Sequence, residues 1–79
     1  MKFLKEKIQK YNEKKLVDAL KEMKFHLDKK KQFESQLKIA ENDESKLKIK
    51  ERIDNQNKNI AIWKRNIEII NKQLKKFEQ

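Results

Sequence analysis

Seventy-nine residues, 44% of them charged and summing to a net +9, bound this chain to one small domain whose single core supplies roughly 3 to 5 kcal/mol without a staple or a partner. Gly, Pro and Cys are absent, which excludes disulfides, thiol chemistry and glycine-dependent tight turns. With no helix breaker anywhere and its longest apolar run, Ile60 to Trp63, far below the ~20 residues of a membrane span, the chain is expected to be all-α, nearly all helix, and self-associating.

A first helix is predicted over about residues 2–41. Its start, MKFLKEKIQKY, is interrupted by charge too often to form the apolar core of a signal peptide, so a cytoplasmic location is expected. Phe3, Leu4, Ile8 and Tyr11 recur at helical spacing, but the steps run four and four through Asn12 before Leu16. This implies either a stutter that locally unwinds a supercoil or a fresh helix capped by Asn12, with Tyr11 and Leu16 as its hydrophobic staple. Beyond this point Leu16, Leu20, Met23, Leu27, Lys30 and Leu37 are spaced by three and four, apart from one seven-residue step over Glu34 that Phe33 can cover.

The cluster Glu41-Asn42-Asp43-Glu44-Ser45 supplies cap-forming residues and predicts a turn at about 42–45. Asn42 or Asp43 can accept the free N–H groups of the next helix, and Asp43 and Glu44 suit its positive end. That second helix, about 45–78, carries an unbroken stripe: Ile49, Ile53, Gln56, Ile60, Trp63, Ile67, Ile70, Leu74, Phe77. Steps of four and three alternate throughout, the signature of a coiled-coil seam. Residues 54–59, DNQNKN, are poor helix formers, and a break there would make three helices instead of two.

A turn centred near residue 43 folds the chain into an antiparallel helical hairpin whose facing residue numbers sum to about 86. Leu37 then meets Ile49, Phe33 meets Ile53, Leu27 meets Ile60, Met23 meets Trp63, Leu20 meets Ile67 and Leu16 meets Ile70. Lys30 falls level with Gln56, which predicts a shared polar layer that costs stability and pins register. Trp63 against Met23 is expected to be a sulfur–aromatic core pair.

Six apolar residues fall outside this seam: Val17, Phe25, Ile39, Leu47, Ile62 and Ile69. Under the same rule they pair by level, Phe25 with Ile62, Val17 with Ile69 and Ile39 with Leu47, and so predict an oligomer interface. The simplest partner is a second copy, giving a dimeric four-helix bundle.

Charge concentrates at the open end, where Lys2, Lys5, Lys7, Lys10, Lys14, Lys15, Lys72, Lys75 and Lys76 outnumber the acidic residues. Together with Phe3 and Tyr11 they form a candidate polyanion contact. Lysine binds phosphate with little sequence information, and only Arg52 and Arg65 are available to read base edges, so nucleic acid would be bound non-specifically. The Lys29-Lys30-Lys31 run is expected to be a surface patch. At the N-terminus Phe3, Leu4, Ile8 and Tyr11 oppose a Lys-rich face as in an interfacial membrane helix, yet Ile8 is claimed by Phe77 across the hairpin.

No catalytic constellation is present: one His, Ser35 and Ser45 do not make a triad. His26 with Glu22 one turn earlier offers two ligands where structural zinc takes four, so no metal or cofactor is expected and His26 is predicted to be a surface residue. The short Lys/Glu-rich hairpin is similar in outline to export chaperones and adaptor proteins, a likeness of shape that transfers no residues. The expected function is that of a non-enzymatic, self-associating coiled-coil interaction module, an adaptor, chaperone or assembly subunit; the alternative is a small basic protein binding nucleic acid non-specifically.

Overall fold

The computed structural model describes residues 2–78, with side chains for residues 3–76. It contains α1 (Lys2–Ile39) and α2 (Asp43–Glu78), of 38 and 36 residues. The two fold back on each other as an antiparallel hairpin measuring 63 × 14 × 13 Å, and at about 1.5 Å per residue each helix runs nearly its full length.

The turn is shorter and earlier than the sequence implied. α1 stops at Ile39 and α2 starts at Asp43, so the bend centres on Glu41. Asn42 fixes this point: its side-chain Oδ1 accepts the Ser45 N–H at 2.7 Å while its carbonyl accepts the Lys46 N–H at 3.1 Å. These are the two marks of an N-cap residue. Asp43 and Glu44 occupy the first turn of α2 and Lys75 and Lys76 the last, each sign favourable to the helix dipole. Glu44 also pairs with Lys48 at 3.5 Å, an exposed contact worth a few tenths of a kcal/mol.

Neither helix is interrupted. Asn12 lies inside α1 and caps nothing. Residues 54–59 are regular helix, with the Asn59 amide donating to the Asn55 carbonyl at 3.1 Å. Propensity loses there because Ile53, Gln56 and Ile60 all turn toward α1, and packing of one face outweighs the few tenths of a kcal/mol that each asparagine costs.

Moving the turn shifts the register by one helical turn. His26 bonds to Gln56, so facing residue numbers sum to 82 and not to 86. On α1 the residues turned inward are Asn12, Leu16, Ala19, Met23, His26, Lys30, Phe33 and Leu37, continued by Ala40 just past the helix, in strict alternation of four and three. Leu20 and Leu27 are not among them: they are 50% and 39% exposed, whereas Ala19 is 1% exposed. The reason is volume. Ala19 lies level with Trp63, and a leucine there would compete with the indole for the same space.

On α2 the inward residues are Ile49, Ile53, Gln56, Ile60, Trp63, Ile67, Ile70 and Leu74; the Phe77 side chain lies outside the described residues. The core is thin. Ala19, Ile49 and Ile70 are the buried apolar residues, and no side chain of the described residues is both large and fully buried.

Candidate interaction surfaces

One direct polar bond crosses the seam among the described side chains. His26 Nδ1–H donates to Gln56 Oε1 at 2.6 Å in a half-buried setting, and Phe25 packs edge-on to the imidazole, its ring centre 5.2 Å away at 79°. Gln56 therefore meets His26 and not Lys30, which the one-turn shift carries to the level of Arg52. Lys30 is half-buried at the seam's edge. Nor is His26 a surface residue beside Glu22. Among the described residues no group of three or more His, Asp or Glu could hold a metal ion.

Leu20 and Leu27 lie just beyond the seam on one long flank of the hairpin, with Val17 one turn outward and Leu47 and Ala61 contributed by α2. This leucine flank continues the seam without a polar interruption on α1: Leu16, Leu20, Met23 and Leu27 form one surface. The opposite flank carries Tyr11, Phe25 and Ile39 from α1 and Ile62 and Ile69 from α2, all exposed. The six outer residues thus divide between two faces, with Val17 and Leu47 apart from the other four. The level pairing also changes with the register, Phe25 now lying level with Asn57 and Ile62 level with Leu20.

A trough runs along the second flank. Its inner part, about 390 Å³, is lined by Lys15, Asp18, Ala19, Trp63, Asn66, Ile69, Ile70 and Gln73. The outer part, about 500 Å³, is lined by Ile8, Tyr11, Asn12, Lys15, Gln73 and Lys76. Lys15 and Gln73 line both, so the two depressions adjoin. Ala19 creates the depression: a small side chain beside a large indole leaves the α1 backbone recessed. Asn12, 5% exposed, also lines the floor, and among the described residues no buried side-chain N or O is left without a hydrogen-bond partner, so its amide keeps some access to water.

The open-end lysines surround the hairpin instead of sharing one face. Lys15 and Lys76 edge the trough, whereas Lys5, Lys7, Lys10, Lys14, Lys72 and Lys75 are exposed around the rest of the circumference; the Lys2 side chain lies outside the described residues. Several lysines cover aromatic rings one turn earlier in α1: Lys7 over Phe3 at 4.7 Å, Lys15 over Tyr11 at 5.1 Å, Lys29 over Phe25 at 5.7 Å. Such contacts, worth roughly 0.5–1 kcal/mol at exposed sites, let an aromatic stand in water on a highly charged helix. Arg52 makes the one such contact between helices, 6.0 Å from the Phe33 ring.

His26, Ala19 and Asn12 are the residues that reading the apolar pattern alone passes over. A signal for them exists: a strict alternation of four and three through Asn12, Leu16, Ala19, Met23, His26, Lys30, Phe33, Leu37 and Ala40 needs no seven-residue step, and the leucine stripe does. No helix of the described residues is long and apolar enough to cross a membrane. No protein-family model matches the chain, and neither a curated protein nor a solved structure matches it.

Proposed function

We propose that this protein is a non-enzymatic coiled-coil interaction module, an adaptor, chaperone or assembly subunit that works as a homodimer joined through its leucine flank. The observation that carries this reading is the exposure of Leu20 and Leu27, 50% and 39%, directly beside the seam. A helix that serves only one partner presents a narrow two-position stripe, whereas a helix in a bundle presents a wider apolar arc that covers two neighbours. α1 has the wider arc.

The exposed area supports the same view. The chain exposes 6852 Å², against ~5,100 Å² for a compact monomer of this mass, and a standard interface covers about 800 Å² of each partner. A two-fold pairing that sets Leu20 of one copy against Leu27 of the other is isologous, and its antiparallel sense keeps the two basic open ends apart.

Light scattering on a sizing column tests this. The wild type should elute at twice the chain mass at micromolar concentration, and Leu20→Glu with Leu27→Glu should elute as monomer. Phe25→Glu and Ile62→Glu, on the other flank, should leave the dimer intact. A wild-type monomer overturns the proposal, and a heavy, salt-sensitive particle rich in 260 nm absorbance would favour non-specific nucleic-acid binding instead.

A further inference from the structure

From the trough we infer a binding site for an acidic amphipathic helix of a partner protein. This inference deepens the interaction-module reading by naming the partner's chemistry, and it uses the flank that the proposed dimer leaves free.

Three properties of the trough select this occupant. The first is length: from Ile8 to Ala19 the floor advances about 16 Å along α1 at the helical rise, which accommodates three turns of a docked helix. The second is an apolar floor, built from Ile8, Ala19, Trp63 and Ile70, able to take the side chains that recur every three or four residues on one helix face. The third is charge. Lys15 and Lys76 edge the trough with Asp18 the single acid among its lining residues, and the surrounding lysines add a positive field that draws an anionic partner.

The floor is also not purely apolar. Asn12, 5% exposed and lining the trough, keeps its amide in reach of water, since no buried side-chain polar atom among the described residues is left unsatisfied. A docked helix that supplies a hydroxyl or amide at this level would satisfy it, and one that cannot would leave it buried and unpaired, which is a means of discrimination. Nucleic acid fits less well: the lysines encircle the open end and do not follow the trough, whereas a polyanion-binding groove tracks a backbone with its charges.

Trp63 lines the trough and is the chain's one tryptophan, so its fluorescence reports occupancy directly. The probe is a synthetic three-heptad peptide with leucine at the two inward positions, glutamate on the flanks and alanine elsewhere. Its controls are a scrambled peptide of equal charge and an oligothymidine. Titration of the full chain should shift Trp63 emission saturably with the amphipathic peptide and not with the scramble. Lys15→Glu with Lys76→Glu should weaken that binding at least tenfold, and Leu20→Glu with Leu27→Glu should leave it unchanged.

Equal binding of the scramble or the oligothymidine would overturn the site, as would a double lysine variant that binds like wild type or an absence of any saturable shift. Circular dichroism of the lysine variant guards against misfolding as the cause of its loss. Because mass is measured separately, a monomeric protein that still binds the peptide sinks only the dimer, and a dimer that ignores the peptide sinks only the trough.

Discussion

Ala19 lies level with Trp63 across the hairpin and lines the same trough, so an alanine of α1 faces the largest side chain of α2. The pair sets both the helix spacing at this level and the depression beside it. Ala19→Leu should therefore overpack the seam and lower stability by about 1–3 kcal/mol, a fall of roughly 4–8 °C in Tm for each kcal/mol in a domain of this size. Leu20→Ala, one residue away and half exposed, should cost the hairpin fold under about 1 kcal/mol. Thermal unfolding at low protein concentration ranks the two, and a larger loss for Leu20→Ala would mean that the leucine stripe, and not the alanine, faces α2.

The His26–Gln56 bond makes a paired prediction. Gln56→Leu strips the half-buried imidazole N–H of its acceptor, and an unsatisfied donor of this kind costs about 1–3 kcal/mol. Replacing both partners together, His26→Leu with Gln56→Leu, removes the polar demand and should be neutral or stabilising. A urea denaturation series on the single and double variants measures the coupling. Additive losses in the double variant would show that the bond contributes nothing to the native state.

These two pairs also explain what the sequence disclosed and what it concealed. α2 is legible because its inward residues are mostly Ile, Trp and Leu, so hydrophobicity and geometry mark the same positions. On α1 they disagree: the inward positions include Asn12, Ala19, His26 and Lys30, while Leu20 and Leu27 sit just outside. A hydrophobic stripe follows the leucines and so selects the residues that serve a second surface. The error in register has one source. Glu41 to Ser45 contains several cap-forming residues, and the choice among them was decided by a hydrogen bond from the Ser45 N–H to Asn42, a matter of backbone geometry that composition does not carry. Two residues of displacement at the turn became one full helical turn along the whole seam.

The cap itself can be tested. Asn42→Ala removes the acceptor at 2.7 Å from the Ser45 N–H and should cost about 1 kcal/mol, with Asn42→Asp nearly without effect because a carboxylate caps as well. Urea midpoints of the two variants decide it. Equal losses for both would show that the bend at Glu41 is held by helix packing alone, with the cap along for the ride.

Asn12 tests whether polarity in the seam serves specificity or stability. It is 5% exposed and inward-facing, level with Ile70, a seam position where a polar side chain gives up apolar packing. Asn12→Leu should accordingly raise the unfolding midpoint. A single polar residue at such a position fixes register because every alternative alignment buries it worse, so the same substitution should loosen the alignment it stabilises. Cysteines introduced into this cysteine-free chain at Gln9 and Gln73, which face each other in this register, report that alignment by disulfide formation: efficient closure in the parent, and slower closure once Asn12 becomes Leu. A fall in stability on Asn12→Leu would instead mean that the amide's own contacts stabilise the seam of the free protein.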